Sequence, residues 1–305
     1  MTTLTEMIDE VQSNLQGYTL QQDRATYLAQ PISTTTSSIA SPTVLNLGST
    51  ENLGKGIIEV NEELMWIDSF DRIASTGTVS PWGRGYLGTE ATTHLAGAKV
   101  TISPTFPRHN IKKAINDTIR AIGATIFAVG QTTFTYNAAI TTYKFDNLDI
   151  QNILTMHWQS VGPSKEWIRV KQFDFDALPD ETTWGVGAQT VSIGDAITPG
   201  RTVKVTYAKG PAAFTSNSET FTTQTGLPES VRDVVILGAV YRLLSYLDPA
   251  RVAMTSPQAD ETDSRRPYGS SSNATRQIFA LYTQRLQEET QAQQQKYPIR
   301  VHFRR

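Results

Sequence analysis

The chain has 305 residues, 39% of them hydrophobic, with a formal net charge of -2 and a pI near 6.1. That length and apolar content suit about two or three folding units. The near-neutral balance gives no global pull toward nucleic acid or an anionic membrane. Cysteine is absent, which excludes disulfides, thiolate zinc sites and cysteine nucleophiles together and suits assembly in a reducing cytoplasm.

The first residues are polar and acidic, with Glu6, Asp9 and Glu10, where a signal peptide needs a basic start and an apolar run. Instead, Leu4, Ile8, Val11 and Leu15 fall on one face and predict a helix over Thr5–Gln16, with Thr3 and Glu6 spaced as a capping box. A β-rich segment follows, about Thr35–Ser103. In it Gly56–Val60 and Leu64–Asp68 flank Asn61-Glu62-Glu63 as a hairpin, and Ala98–Ser103 is a closing strand. Ile111, Ile115, Ile119, Ile122 and Ile126 form the stripe of a second helix, Arg108–Val129, with Lys112, Lys113 and Arg120 off the stripe.

A second β-rich segment spans Thr132–Thr225, with strands expected at Ile153–Ser160, Glu166–Phe173, Gln189–Ile193 and Thr202–Ala208. Pro228 opens a third helix running to Leu247. Its apolar stretch, Val234–Leu247, contains Arg242 and is too short to span a bilayer. After a loop rich in proline and serine comes a fourth helix, Asn273–Gln295. Its end is polar, with Gln287, Gln291, Gln293, Gln294 and Gln295, and is expected to meet solvent or a partner. The final residues, KYPIRVHFRR, alternate apolar and basic side chains as an extended strand, which either pairs with this fold's own sheet or is an arm that adds to a neighbour's sheet edge or groove.

These elements predict an α+β protein, a helical bundle of about four helices with two inserted β-rich modules and an extended C-terminal tail. The expected divisions are residues 1–34 (first bundle helix), 35–104 (β module), 105–130 (bundle helix), 131–226 (second β module), 227–297 (two bundle helices around a mobile loop, 248–272) and 298–305 (basic tail).

Catalytic patterns are thin, and no catalytic residue, cofactor or metal site is expected. His94, His109, His157 and His302 are the only histidines, and none has a second ligand at metal-type spacing. Asp174 and Asp176 lie in an extended FDFD segment; paired carboxylates serve glycoside hydrolysis, but two on a strand or turn are more often solvated. Calcium would need more oxygens than Asp174, Asp176 and Asp180 offer. Trp158, Trp167, Trp184, Phe173 and Phe175 make either a sugar-stacking platform or, more simply, core and rim packing. Lys112, Lys113 and Arg120 either face DNA or form a solvated helix face.

The best-defined local pattern is Arg84-Gly85-Tyr86-Leu87-Gly88-Thr89, then His94, Gly97, Ala98 and Val100. Its glycines allow a tight turn with Trp82 and Tyr86 around it. A helical turn over Glu90–Leu95, closed by Gly97, is expected, with His94 hydrogen-bonding across it. No Gly-Lys-Ser/Thr ending makes it a phosphate loop. The stretch GIIEVNEELMWIDSF…WGRGYLGTEATTHLAGAKVTI resembles a small β module of tailed-phage virion proteins, whose core is R-G-x-x-G-T, a histidine, then G-A-x-V. Helices with β insertions and a C-terminal extension resemble head–tail connector (neck adaptor) proteins. The resemblance implies a homo-oligomeric, dodecameric ring in the virion neck, made in the host cytoplasm. It implies portal protein and other neck or tail proteins as partners, and a channel that DNA passes without sequence-specific binding or any membrane. It assigns structural roles to Arg84, Gly85, Gly88, Thr89, His94 and Gly97. Ile299, Arg300, Val301, Phe303, Arg304 and Arg305 would touch the portal or a neighbour. The alternative is a tail-terminator, tail or baseplate protein with a glycan-binding β module.

Overall fold

The structure is a computed structural model that describes residues 2–16, 23–146, 148–162, 165–245 and 270–298. The chain divides into two compact units. Among the described residues the strands form three antiparallel sheets, of six, four and three strands.

The first unit comprises Thr5–Ile115 and Ile236–Phe279. Its sheet contains β1 (Arg24–Tyr27), β2 (Val44–Asn46), β3 (Gly56–Val60), β4 (Glu63–Asp71), β5 (Thr76–Val79) and β6 (Lys99–Ile102), ordered β1-β6-β3-β4-β5-β2. The β3–β4 hairpin turns through Asn61, at φ 56°, and pairs Val60 with Glu63. The sheet curls until its two outer strands meet. Leu28 bridges Leu47, with Ala29 N–H donating to Asn46 O at 2.8 Å and Gly48 N–H to Tyr27 O at 2.9 Å. Ile58, Val60, Met65, Ile67, Val79 and Val100 fill the inside, each fully buried aliphatic contributing roughly 1.5–3 kcal/mol.

The second unit comprises Met1–Leu4, Asn116–Val235 and Ala280–Arg305. One sheet runs β10 (Trp167–Arg169), β9 (Ile150–Gln159), β13 (Thr202–Lys209), β7 (Ala128–Thr135). The other runs β11 (Phe173–Asp176), β12 (Ala188–Ile193), β8 (Thr142–Asp146). Met156, Val203 and Val205 from the first sheet share a core with Phe145 and Val191 from the second.

Six α-helices are described: α1 (Leu4–Gln16), α2 (Arg108–Ile122), α3 (Glu181–Trp184), α4 (Phe221–Thr225), α5 (Arg232–Ser245) and α6 (Ser270–Lys296). The apolar stripes read from the sequence are buried, including Leu4, Ile8, Val11 and Leu15 on α1 and Ile111, Ile115, Ile119 and Ile122 on α2. Among the described residues no helix is long and apolar enough to cross a membrane.

The structure corrects the expected fold class. It is not a helical bundle with two inserted β modules; three sheets carry most of the architecture. Helical periodicity is conspicuous in a sequence because it persists for three or four turns. Strands such as β2, β5 and β8 are three to five residues long and leave almost no alternation to read. The second helix also stops earlier than expected. Ile122 O accepts from both Thr125 and Ile126 N–H, closing the helix in a turn. From Ala128 the chain enters β7, where its β-branched and aromatic run pairs along the whole of β13. The expected strand Glu166–Phe173 is split: Trp167–Arg169 pairs with β9, and the chain crosses to the other sheet at Phe173.

Candidate functional site

Glu63 is the first residue of β4 after the turn, opposite Val60, on the same face as the core residues Met65 and Ile67. A lone carboxylate there would be costly to bury. The glycine-rich pattern supplies its partners. Arg84 Nε donates at 2.6 Å and Nη2 at 3.0 Å; the backbone N–H groups of Gly85 and Thr92 donate at 3.0 Å each; His94 Nε2 donates at 2.8 Å. The side chains of Glu63, Arg84 and His94 are 0, 4 and 1% exposed. Burial alone would raise the carboxyl; the bonds from His94, Arg84 and the two amides outweigh it and hold the carboxyl down at about 2.

Each residue of the pattern has a place in this arrangement. Arg84 also donates to the carbonyls of Thr34 and, at 2.7 Å, Thr92. Gly85 sits in the left-handed region at φ 60°, where an added Cβ would stand 2.7 Å from Thr89 O. Thr89 Oγ1 accepts from Leu64 N–H at 3.1 Å and donates to Tyr86 O at 3.0 Å. His94 Nδ1 accepts from Asn61 Nδ2 at 3.2 Å, and its backbone exchanges two hydrogen bonds with Ile32. Gly88 ends a short turn, and Gly97 N–H donates to Leu28 O at 2.7 Å. The expected helical turn over Glu90–Leu95 does not form; the turn is a 3-10 helix at Tyr86–Gly88. With the carboxylate taking its hydrogen bonds from Thr92 N–H and His94, the following residues stay extended. On the other side of β4, Trp66, Trp82 and Tyr86 rings meet at 5.4–5.8 Å.

Sequence reading found the turn and His94 but missed Glu63, the centre of the network. An acid at a hairpin next to a mostly apolar run was all the sequence offered, and Glu62 beside it fits that description as well. It also missed Glu59, 2% exposed on β3, which accepts from Arg108 N–H at 2.5 Å where α2 begins. Burial, the largest influence, pushes Glu59 up to about 7 against the opposing pull of Arg108.

The remaining candidates are dispersed. Asp174 and Asp176 are both exposed on one side of β11. Asp180 caps α3, and the hydroxyls of Thr182 and Thr183 hold its carboxyl below the usual range. Trp158, Phe173 and Phe175 pack against the core between the sheets. Trp167, 41% exposed, sits at the edge of the four-stranded sheet with Lys204 Nζ 4.6 Å from its ring centre. Trp184 ends α3. The structure therefore brings these aromatics to different faces, not to one platform. Lys112 lies 3.8 Å from Glu62, and Arg120 3.1 Å from Asp117. Ile299, Arg300, Val301, Phe303, Arg304 and Arg305 lie outside the described residues, as does the 248–269 part of the expected loop. Among the described residues no group of three or more His, Asp or Glu could hold a metal.

No protein-family model matches the chain, and no curated protein matches it.

Proposed function

We propose that the chain is a structural subunit of a tailed-phage particle, a head–tail connector that closes into a ring between portal and tail and leaves a channel for DNA. The observation that carries this reading is the use made of the R-G-x-x-G-T, His and G-A-x-V residues. Arg84, Gly85, Thr89 and His94 all serve to enclose or brace the Glu63 strand, so the pattern specifies a scaffold. The same turn leaves Trp82 61% and Leu87 63% exposed, apolar surface suited to a neighbouring copy.

Assembly is the mechanism. A contact between two different patches of identical subunits closes into a ring when its rotation divides a full turn. Each joint would bury roughly 1,600 Å² in total, the size of a stable interface. Antibody labelling of intact particles in the electron microscope tests the reading. Label at the neck is the expected result; absence of the chain from purified particles overturns it.

A further inference from the structure

Register in the four-stranded sheet sets three basic side chains in one row. Arg169 on β10 stands opposite His157 on β9, and His157 stands opposite Lys204 on β13. Lys204 in turn stands opposite Thr133 on β7. Residues directly opposite share a face, so the row crosses three strands and spans about 10 Å from Arg169 to Lys204. The other face belongs to the core, through Trp158, Met156, Val203 and Val205. Along the outer face the neighbours in register are threonines and glutamines, with Trp167 at the edge; no carboxylate occurs on it.

The row has no internal counter-charge. Among the described residues neither Arg169 nor Lys204 is ion-paired. His157 Nδ1 is buried without a hydrogen-bond partner. Burial first, then Lys204 and Arg169, holds the His157 ring below its ordinary pKa, which reflects how close the three groups lie.

We propose that this face binds the phosphate backbone of double-stranded DNA without reading its bases. Cations flanked by short hydroxyl and amide donors match phosphate oxygens. An acidic protein partner would call for a central apolar or aromatic anchor, and the face has none. A single strand would call for a track of stacking rings; the one aromatic here, Trp167, already carries Lys204 over its ring. The inference stands on sheet register and not on the connector reading, so either can fail without the other.

The test is fluorescence anisotropy of the full chain with a labelled random duplex of about 30 base pairs, titrated from about 20 to 200 mM salt, since two or three phosphate contacts give a log–log slope of about -2 to -3. The double variant Arg169→Gln/Lys204→Gln should weaken binding at least about tenfold at the lowest salt and flatten the slope by about 2. Arg169→Lys/Lys204→Arg should bind as the parent does. Lys55→Gln/Arg72→Gln, which removes two exposed cations of the other unit, should leave binding unchanged. Circular dichroism and melting show that each variant folds. The proposal is overturned by no binding at the lowest salt, or by equal loss in both neutralised pairs. Preference for single-stranded DNA, or equal competition by polyglutamate, also overturns it.

Discussion

Glu59 and Glu63 lie on neighbouring strands with their side chains on opposite faces of the sheet, and they titrate in opposite directions. Glu63 is held at about 2, below its ordinary 4.5. The stability it contributes is present above pH 4.5 and is lost as pH falls through 2. Glu63→Gln should remove that acid-labile part and, by leaving buried Arg84 unpaired, cost roughly 3–5 kcal/mol at neutral pH in urea unfolding. Glu59 is raised to about 7. Its neutral form is favoured by folding, so its contribution is full below pH 4.5 and is lost as pH rises through 7. Glu59→Gln keeps an acceptor for Arg108 N–H and should match the parent near pH 4. At pH 8 it should be more stable by up to about 3 kcal/mol. A parent protein equally stable at pH 5 and pH 8 would contradict the Glu59 assignment. Neither acid was singled out in the sequence, because hydrophobic patterning sorts residues into inside and outside. It gives no sign of a carboxylate that is buried with its own donors, and those donors here lie 21 to 31 residues further on.

At the scale of elements, the polar end of α6 was expected to meet solvent or a partner, and Gln287, Gln291, Gln294 and Gln295 are exposed. Gln293 differs: it donates to Phe127 O at 2.7 Å and accepts from Phe127 N–H at 3.1 Å. Ser230 donates to Glu289 at 2.8 Å. The pair at Gln293 satisfies a backbone position just before β7, where neither α2 nor the sheet supplies a partner. Gln293→Ala should cost about 1–3 kcal/mol, and faster amide exchange at Phe127 measured by NMR would locate the loss. Unchanged exchange there would show that water substitutes fully. The four long helices α1, α2, α5 and α6 were legible from apolar side chains recurring over several turns, whereas α3 and α4, four and five residues long, carry no such stripe and were not. The hairpin β3–β4 was legible from its turn residues. β7 and β8 were not: threonines on both faces of β7 and the short run Thr142–Asp146 leave the identity of the strand to its partner, which no local pattern records.

For the whole molecule, the connector reading makes the tail decisive in a binding assay. Removing residues 299–305 should abolish docking to purified portal while leaving the melting temperature unchanged; docking that persists would take the tail out of the proposed interface. The site was legible only as a pattern of glycines, an arginine and a histidine. Its meaning came from the fold, which gathers Thr34, Asn61 with Glu63, Arg84 and His94 from four separate stretches around one charge. The curl of the six-stranded sheet has a consequence for how any other chain could meet it. With Leu28 and Leu47 stitching the first and last strands together, that sheet offers little open backbone for a foreign strand to extend. Fibril growth through it is thus given little purchase, and any contact made there would rest on side chains, which can be specific and reversible.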